Sequence, residues 1–323
     1  MNAPAGSVSG DRLVALVGPT AVGKSEVALA VAEQLNGEIV SVDSMQVYRG
    51  MDVGTAKPSV IDRSRVPHHL IDVADINAEF NAAQFVALAR QTVEEVRQRG
   101  RVPVLCGGTG LYFKAFFQGL GQAPPGSATL RAELEGIPLP QLLAELATRD
   151  PDTYQRIDCQ NPRRVIRALE VIRLTGKPYS IQRADWSSES GLMRDVLIFG
   201  LMRDPVDLHE RIESRVDAMF SQGLVAETRA LLAAGLASNR TALQALGYRQ
   251  VTEYLEGIRS LPETIGLVKV RTRRFAKRQM TWFRRQLPVD WIHVGPADTA
   301  ARITLEIVER ANARTGARAL PPQ

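Results

Sequence analysis

The sequence has few cysteines and lacks a long apolar run. Cys106 and Cys159 are its two cysteines, which argues against a disulfide scaffold and against a cysteine-based zinc site. No apolar stretch approaches the length of about 18 residues that a membrane span needs. The polar residues 1–12 do not resemble a secretory signal. These absences favour a globular protein of the reducing cytoplasm, with no membrane partner.

The length and composition are those of an ordinary folded protein. A chain of 323 residues predicts about two domains. With 45% hydrophobic and 23% charged residues, a mostly disordered chain and a fibre are excluded. The net charge is only +5, so its meaning depends on where the charged residues lie.

Short apolar runs alternate with helical patterns along the first third of the chain. This alternation is typical of a parallel, doubly wound sheet. Asn81 and Gly100 are suited to begin and end the second helix. The predicted strands are 13–17, 39–42, 68–73 and 102–106, and the predicted helices are 26–35, 81–99 and an apolar helix from 111.

The pattern changes after residue 120. Helical segments dominate the next 70 residues, strand character returns at 195–201 and 291–294, and a long basic helix is predicted over 262–285. We therefore predict four parts: the first part of the core (1–120), a helical insertion domain (121–190), a region that completes the core and adds a basic helical segment (191–310), and a disordered tail (311–323).

A phosphate-binding loop follows the first predicted strand. Its glycines allow backbone N–H groups to face one anion at the start of a helix. Lys24 would contact the outer phosphate oxygens and Ser25 would bind Mg²⁺. Pattern and flanks together predict an α/β fold with a P-loop NTPase-like parallel sheet core. The loop consists of Gly18, Pro19, Thr20, Ala21, Val22, Gly23, Lys24 and Ser25.

A phosphate loop indicates a polyphosphate ligand, and not ATP in particular. Nucleotide hydrolysis usually needs an acidic residue at a second strand end, yet Cys106 ends its predicted strand without one and Asp72 fits this role poorly. Asp43 follows another strand directly, and strand carboxyl ends line the ligand crevice of such sheets. Its carboxylate could bind Mg²⁺ through water, accept a proton or form a turn, and spacing leaves these alternatives open.

Four separated motifs identify a family. The segments 18–25, 41–48 with 54–58, 107–112 and 276–284 resemble, in order, those of the tRNA dimethylallyltransferase (tRNA isopentenyltransferase) family. The resemblance extends from about residue 12 to 294. No Cys/His zinc module follows the basic helix, so the chain looks like a bacterial-type member.

The resemblance implies transfer of a dimethylallyl group from dimethylallyl diphosphate to N6 of the adenine immediately 3′ of a tRNA anticodon. It implies that the phosphate loop holds the diphosphate, with Mg²⁺ as cofactor, and that Asp43 is the catalytic base with Thr109 against the substrate. Either Arg211 or Arg215, which are i,i+4 neighbours, would also hold diphosphate. A solvated charged face is the alternative for this pair.

The basic residues are concentrated in two segments. Residues 264–285 contain eight cations and no acid, and residues 161–183 contain six cations and one acid. These segments carry +13 together, which leaves −8 for the rest of a chain whose net charge is +5. Phe275, Trp282 and Phe283 could stack on unpaired RNA bases or could lie in the core.

The resemblance also implies a set of tRNA-contacting positions. Arg131 is one of them, although its preceding loop lacks the acidic residue that is usual in the family. The full set is Asp43, Ser44, Met45, Gln46, Thr109, Arg131, Gln160, Asn161, Pro162, Arg163, Arg164, Gln244, Ala245, Leu246, Gly247, Tyr248, Arg249, Lys277, Arg278, Gln279, Met280, Thr281, Trp282, Phe283 and Arg284.

Other readings of the same sequence use fewer of these features. A prenyltransferase acting on free adenine nucleotides would not need the basic helix, a small-molecule kinase would turn over ATP, and a non-catalytic RNA-binding protein would not need Asp43 and Thr109. His68 and His69 would point to opposite faces of a strand, which favours hydrogen-bonded histidines over metal ligands. A monomer without a protein partner is expected.

Overall fold

The structure is a computed structural model that describes residues 12–184 and 196–316. Its organising feature is a sheet of parallel strands. The strands are β1 Leu13–Val17, β2 Gly37–Val42, β3 His68–His69, β4 Val102–Gly107, β5 Val196–Met202 and β6 Asp290–His293. They form one sheet in the order β3-β2-β4-β1-β5-β6, and every neighbouring pair is parallel. The predicted α/β fold with a P-loop-type core is confirmed.

Helices follow or separate the strands along the chain. None of those in the described residues is both long and apolar enough to cross a bilayer. They are α1 Lys24–Gln34, α2 Val60–Arg65, α3 Ala82–Gln98, α4 Gly110–Gln118, α5 Ala128–Glu135, α6 Leu139–Arg149, α7 Pro151–Arg156, α8 Pro162–Thr175, α9 Pro205–Ser221, α10 Leu224–Ala233, α11 Tyr248–Leu255, α12 Leu261–Gln286 and α13 Ala300–Gly316, with 3₁₀ turns at Leu236–Ser238 and Ala242–Gln244.

The central strands are apolar because both faces of the sheet are covered. All five positions of β1 are buried, as expected for a strand in the middle of a parallel sheet. On one face, Val27 and Val31 of α1 and Ile303 and Ile307 of α13 share a hydrophobic cluster with the sheet. The sheet is therefore held as a rigid layer, with its strand ends left to carry functional groups.

The chain divides into two compact units. One comprises the chain up to Phe117 together with the part from Leu192 onward, and the other is Gln118–Gly191. The second unit is helical, and buried leucines of α5, α6 and α8 form its core. The helical insertion predicted at 121–190 lies within it. Helix α7 begins after Asp150, whose carboxylate accepts a hydrogen bond from the Thr153 amide.

Two boundaries differ from the sequence prediction. The strand predicted over 68–73 ends at His69, because Leu70 and Asp72 have left-handed φ angles of 59° and 58° that extended pairing does not allow. The last helix continues to Gly316, beyond the predicted start of a tail at 311. Residues 317–323, and Asp195 at the start of the strand predicted at 195–201, lie outside the described residues.

Asp72, for which the sequence suggested no role, joins two cations. Its carboxylate is 2.5 Å from Lys57 Nζ and 2.9 Å from Arg63 Nη1. Burial raises the pKa of Asp72, but the hydrogen bonds from Lys57 and Arg63 outweigh it and lower the pKa below its ordinary value. Asp72 therefore fixes the segment around Lys57 to the end of the short strand β3.

Glu38 is a buried carboxylate within the sheet. It accepts hydrogen bonds from Arg99 at 3.0 and 2.7 Å, and His69 Nε2 is 2.6 Å from its Oε2. His68 Nδ1 is 2.7 Å from the Val66 carbonyl oxygen, so both histidines have protein partners. Burial opposes ionisation of Glu38, but the hydrogen bonds from Arg99 and His69 lower its pKa overall.

We expect Glu38→Gln to lower the free energy of unfolding at pH 7 by about 1–3 kcal/mol, because charge-assisted hydrogen bonds are lost. A carboxylate with a depressed pKa stabilises the fold above its unfolded-state pKa and loses this effect as the pH falls through its folded-state value. The deficit should therefore shrink between pH 7 and pH 3 in urea titrations. Glu94→Gln, on the exposed face of α3, is the control. A deficit that is absent at pH 7 would contradict the assignment.

Candidate active site

The phosphate loop, Gly18–Ser25, joins β1 to α1. Lys24 folds back over it and donates a 2.6 Å hydrogen bond from Nζ to the Pro19 carbonyl oxygen. Burial, more than the neighbouring Arg215, lowers the pKa of Lys24 to about 8. A carbonyl is a weaker partner for an ammonium group than an anion is. Lys24 is therefore poised to exchange the carbonyl for a phosphate oxygen.

Two arginines that follow β5 hold the outer side of this loop. Arg203 Nε donates to the Val22 carbonyl oxygen at 3.0 Å, and Arg211 Nε donates to that of Ala21 at 3.0 Å. Arg203 also pairs with Asp207 at 2.6 Å. The sequence analysis missed Arg203, whose i,i+4 spacing to Asp207 was the available signal. Arg211 thus supports the loop backbone from outside.

Asp43 lies at the carboxyl end of β2 and forms a tight local turn. Its Oδ1 accepts hydrogen bonds from the backbone N–H groups of Met45 at 2.8 Å and Gln46 at 3.3 Å. Among residues 12–184 and 196–316, its Oδ2 accepts none. The turn therefore fixes the orientation of the carboxylate through one oxygen and leaves the other available to a ligand.

Thr109 supports this turn from the neighbouring strand. Strands β2 and β4 are paired so that Val42 lies opposite Gly107, which places the residues that follow each strand side by side. The Thr109 amide donates to the Val42 carbonyl oxygen at 3.2 Å, and its Oγ1 accepts from the Ser44 amide at 3.0 Å. The two residues predicted to be catalytic are thus brought together.

A cavity of about 420 Å³ connects these groups. Lys24 and Ser25 of the phosphate loop line it together with Asp43, Arg215 and Cys106. Burial raises the pKa of the Cys106 thiol to about 11, so the thiol is protonated at neutral pH. The cavity therefore combines an anion-binding loop, a cation and a carboxylate.

Of the two arginines that the sequence left undecided, Arg215 lines the cavity and Arg211 does not. Burial lowers the pKa of the Arg215 guanidinium, and the nearby Asp43 carboxylate partly opposes this shift. Its Nη2 is 3.5 Å from the Thr55 carbonyl oxygen. The guanidinium is therefore weakly partnered within the protein and faces the same space as Lys24.

Helix α12 carries some cations that are paired with acidic residues and others that are exposed and unpaired. Lys269 and Arg273 pair with Asp217 and Glu213 of α9. The remaining exposed cations form no ion pair within the part of the chain that the structure describes: Arg274, Lys277, Arg278, Arg284 and Arg285. Phe275, over which the Arg278 guanidinium lies at 5.8 Å, is half-buried and lines the cavity.

Several residues predicted to contact tRNA are buried in this structure. Phe283 packs edge to face on Phe113 with ring centroids 6.0 Å apart, and Trp282 covers Gly110 so closely that a Cβ there would lie 2.2 Å from its ring. Phe283 therefore belongs to the core and offers no stacking surface, because helical spacing turns it inward. The buried members of the predicted set are Ala245, Gly247, Tyr248, Gln279 and Phe283.

Tyr248 holds a loop of the cavity wall. Its hydroxyl donates to Glu227 Oε1 at 2.6 Å and accepts from the Gly54 amide at 3.1 Å. Glu227 also accepts a hydrogen bond from the Val53 amide at 2.8 Å. Burial, followed by Glu227, raises the pKa of Tyr248, so it remains the donor. The predicted segment 244–249 thus combines this internal support with exposed Gln244 and Arg249.

The helical unit carries the remaining predicted positions. Residues 160–164 surround the start of α8, and Gln160, Arg163 and Arg164 are exposed. Arg131 is instead paired with Glu170, whose side chain is fully buried, and Arg167 pairs with the same carboxylate at 2.6 Å. Burial raises the pKa of Glu170, but hydrogen bonds from Arg167 and Arg131 outweigh it and lower the pKa.

This fold and site define a P-loop protein whose cavity joins an anion-binding type of loop to a positioned carboxylate. The model of the IPP transferase family matches residues 46–286. A tRNA dimethylallyltransferase of Pelotomaculum thermopropionicum is 45% identical over 287 residues, which cover 87% of this chain and 90% of that one. The chain therefore belongs to the tRNA dimethylallyltransferase (IPP transferase) family, and the resemblance drawn from its motifs is confirmed.

Other relatives agree with this assignment. A second curated relative, tRNA dimethylallyltransferase 2 of Geotalea uraniireducens, is 43% identical over 87% of this chain and 92% of its own length. The crystal structure of a tRNA isopentenylpyrophosphate transferase from Bacillus halodurans covers 96% of this chain and all of that one, with a TM-score of 0.70 and 38% identity. A eukaryotic dimethylallyltransferase described as acting on tRNA gives a TM-score of 0.77 at 25% identity, over 97% of this chain and 81% of that one.

We expect Tyr248→Phe to lower the free energy of unfolding by about 1–3 kcal/mol, because a buried hydrogen bond to a carboxylate is lost. RNA affinity should change by less than about twofold, since the hydroxyl is not exposed. Urea denaturation and tRNA binding measure the two effects. Tyr254→Phe on the same helix, whose hydroxyl has no hydrogen bond within the described residues, is the matched control. Unchanged stability with weakened RNA binding would reverse the assignment.

Proposed function

We propose that this protein transfers a dimethylallyl group from dimethylallyl diphosphate to N6 of the adenine immediately 3′ of the anticodon in tRNA. The observation that carries this proposal is the shared cavity, which is lined by the phosphate loop, Arg215 and Asp43. Family membership supports the substrate class, since the curated relatives are named tRNA dimethylallyltransferases. A cytoplasmic site of action, where tRNA is available, is part of the proposal.

The phosphate loop, Lys24 and Arg215 would hold the diphosphate of the donor. Loop N–H groups at the start of α1 bind anions because their dipoles converge there. Lys24 would exchange the Pro19 carbonyl for a phosphate oxygen, and Arg215, which lines the same cavity, would bind the diphosphate as a second cation. Both cations stabilise the negative charge that develops as diphosphate leaves.

The donor set also fits Mg²⁺, which binds proteins through few oxygen ligands and completes its shell with phosphates and water. The Ser25 hydroxyl is exposed at the start of α1, and the Asp43 carboxylate lines the same cavity. Ser25 would bind the ion directly. When bound, Mg²⁺ would neutralise charge on the diphosphate.

Asp43 would act as the base. The lone pair of the adenine amine is delocalised into the ring, so the amine is a weak nucleophile until its proton is taken. As the bond from N6 to the allylic carbon forms and the carbon–oxygen bond to diphosphate breaks, Asp43 Oδ2 accepts the amine proton. The turn at Met45 and Gln46, supported by Thr109, fixes the orientation of this carboxylate, which belongs to a residue that lines the cavity.

The tRNA would lie on the exposed cations of α12 and on residues at the start of α8. Lys277 and Arg278 are exposed without an ion pair in the described chain, which is typical of side chains that bind phosphates. The target adenine must leave the base stack to reach a buried cavity. Phe275, which lines that cavity, is the aromatic side chain placed to receive it.

The central test offers labelled dimethylallyl diphosphate and Mg²⁺ to the protein with unmodified tRNA, with AMP or with no acceptor. Label should appear in tRNA alone. Asp43→Asn should lower the turnover number about 10²- to 10⁴-fold, because the base is lost, while the asparagine oxygen can still accept the bonds from Met45 and Gln46. Binding of tRNA should change little.

Each alternative gives a different result in this test. Label in AMP but not in tRNA would support a prenyltransferase of free nucleotides. Conversion of ATP to ADP in a parallel reaction that contains ATP, without any prenyl transfer, would support a kinase. If the Asp43→Asn variant has the same turnover number as the unaltered protein, Asp43 is excluded as the base.

We expect Lys277→Met to weaken tRNA binding and to reduce the slope of log affinity against log salt by about 0.7 to 0.9, because one phosphate contact is lost. Lys269→Met is the matched control on the same helix, since Lys269 is already paired with Asp217. Filter binding between about 50 and 200 mM salt measures the slope. Equal slopes for the two variants would show that the outer face of α12 does not bind the RNA backbone.

A further inference from the structure

Gln279 occupies an unusual position on the basic helix α12. Its neighbours Lys277 and Arg278 are exposed, whereas Gln279 itself is 7% exposed and turns inward. Its side-chain amide therefore faces the interior of the protein, on the opposite side of the helix from the free cations. A buried amide is costly unless both of its polar atoms are bonded.

Both polar atoms of this amide are bonded, and to two different parts of the site. Oε1 accepts a 2.9 Å hydrogen bond from the backbone N–H of Thr20, in the phosphate loop. Nε2 donates a 2.9 Å hydrogen bond to the backbone carbonyl oxygen of Gly108, between β4 and α4. An N–H requires an acceptor and a carbonyl requires a donor, so the orientation of the amide is fixed.

The contact with the β4–α4 turn is close. A Cβ added at Gly108 would lie 2.3 Å from Gln279 Nε2, so the absence of a side chain allows the approach. The next residue, Thr109, accepts the hydrogen bond from the Ser44 amide beside Asp43. One side chain therefore connects the phosphate loop to the turn that supports the catalytic carboxylate.

We propose that Gln279 is a positioning residue that fixes the phosphate loop relative to the Asp43 turn and joins both to the basic helix, without contacting tRNA itself. This inference rests on the proposed function. Glutamine suits the role because a single planar group supplies one acceptor and one donor. The distance between the diphosphate and the base determines the rate of transfer, and a misplacement of about 1 Å can cost about 10²-fold.

Gln279→Met tests the role, because methionine keeps the volume and loses both hydrogen bonds. We expect the turnover number at saturating tRNA to fall at least about tenfold and the KM for tRNA to change by less than about threefold. Affinity for inorganic diphosphate, measured by calorimetry, should also fall. Gln98→Met, on the exposed face of α3, is the matched control and should leave all three quantities unchanged.

Two results would overturn the inference. A raised KM for tRNA with an unchanged turnover number would make Gln279 a tRNA contact, and unchanged values of both would show that the bridge has no role. Failure of the unaltered protein to prenylate tRNA is a separate result that overturns the proposed function. The diphosphate measurement tests the bridge to the phosphate loop even then.

Gln279→Glu provides a second test, based on the pH dependence of activity, which remains valid even if the Gln279→Met variant does not fold. The carboxylate can still accept from the Thr20 amide, but it repels the Gly108 carbonyl oxygen unless it is protonated. Its activity relative to the unaltered protein should therefore rise as the pH falls from 8 to 6. A purely structural role would give a ratio independent of pH, and that result would refute the proposal.

Discussion

The active site depends on the parallel pairing of β2, β4 and β1. Parallel strands end at the same edge of a sheet. The phosphate loop after β1, Asp43 after β2 and Thr109 after β4 therefore lie close together. The last residue of β4, Gly107, is paired with Val42 of β2 on one side and with Val17 of β1 on the other. Because the central strands are covered on both faces, this edge can hold charged groups at fixed distances.

The sequence predicted the parts of the fold that follow from local patterns. Apolar runs identified β1, β2 and β4, and the phosphate loop with its flanks predicted the fold class. The third strand was predicted too long because left-handed φ angles at Leu70 and Asp72 are not encoded in hydropathy. Of the predicted site residues, the structure brings Lys24, Asp43 and Arg215 into one cavity.

The inward contacts could not be predicted from the sequence. A charge-rich helix does not reveal which face is covered, so Phe283 and Gln279 were grouped with their exposed neighbours. The carboxylate of Glu227, which organises a loop 173 residues away through Gly54, lies in a segment without a motif. Such contacts depend on tertiary placement, which a single sequence does not specify.

The number of basic residues in the sequence overstates how many are available to bind RNA, because some are held in ion pairs within the protein. In the helical unit, Arg131 and Arg167 both pair with the buried Glu170, and Arg173 pairs with Glu145 at 2.6 Å. Among the described residues, the largest group of exposed cations without an ion pair lies on α12. Basic residues that look alike in the sequence therefore differ in the structure: some form ion pairs within the protein, and others are exposed without one.

Cys106 gains a particular significance if the cavity accepts an allylic diphosphate, as proposed. An allylic diphosphate is an electrophile, and a thiolate is a far better nucleophile than an adenine amine. With its pKa at about 11, the Cys106 thiol holds its proton at neutral pH and does not compete for the allylic carbon. Burial of the Cys106 thiol would thus limit alkylation of the protein by the proposed donor.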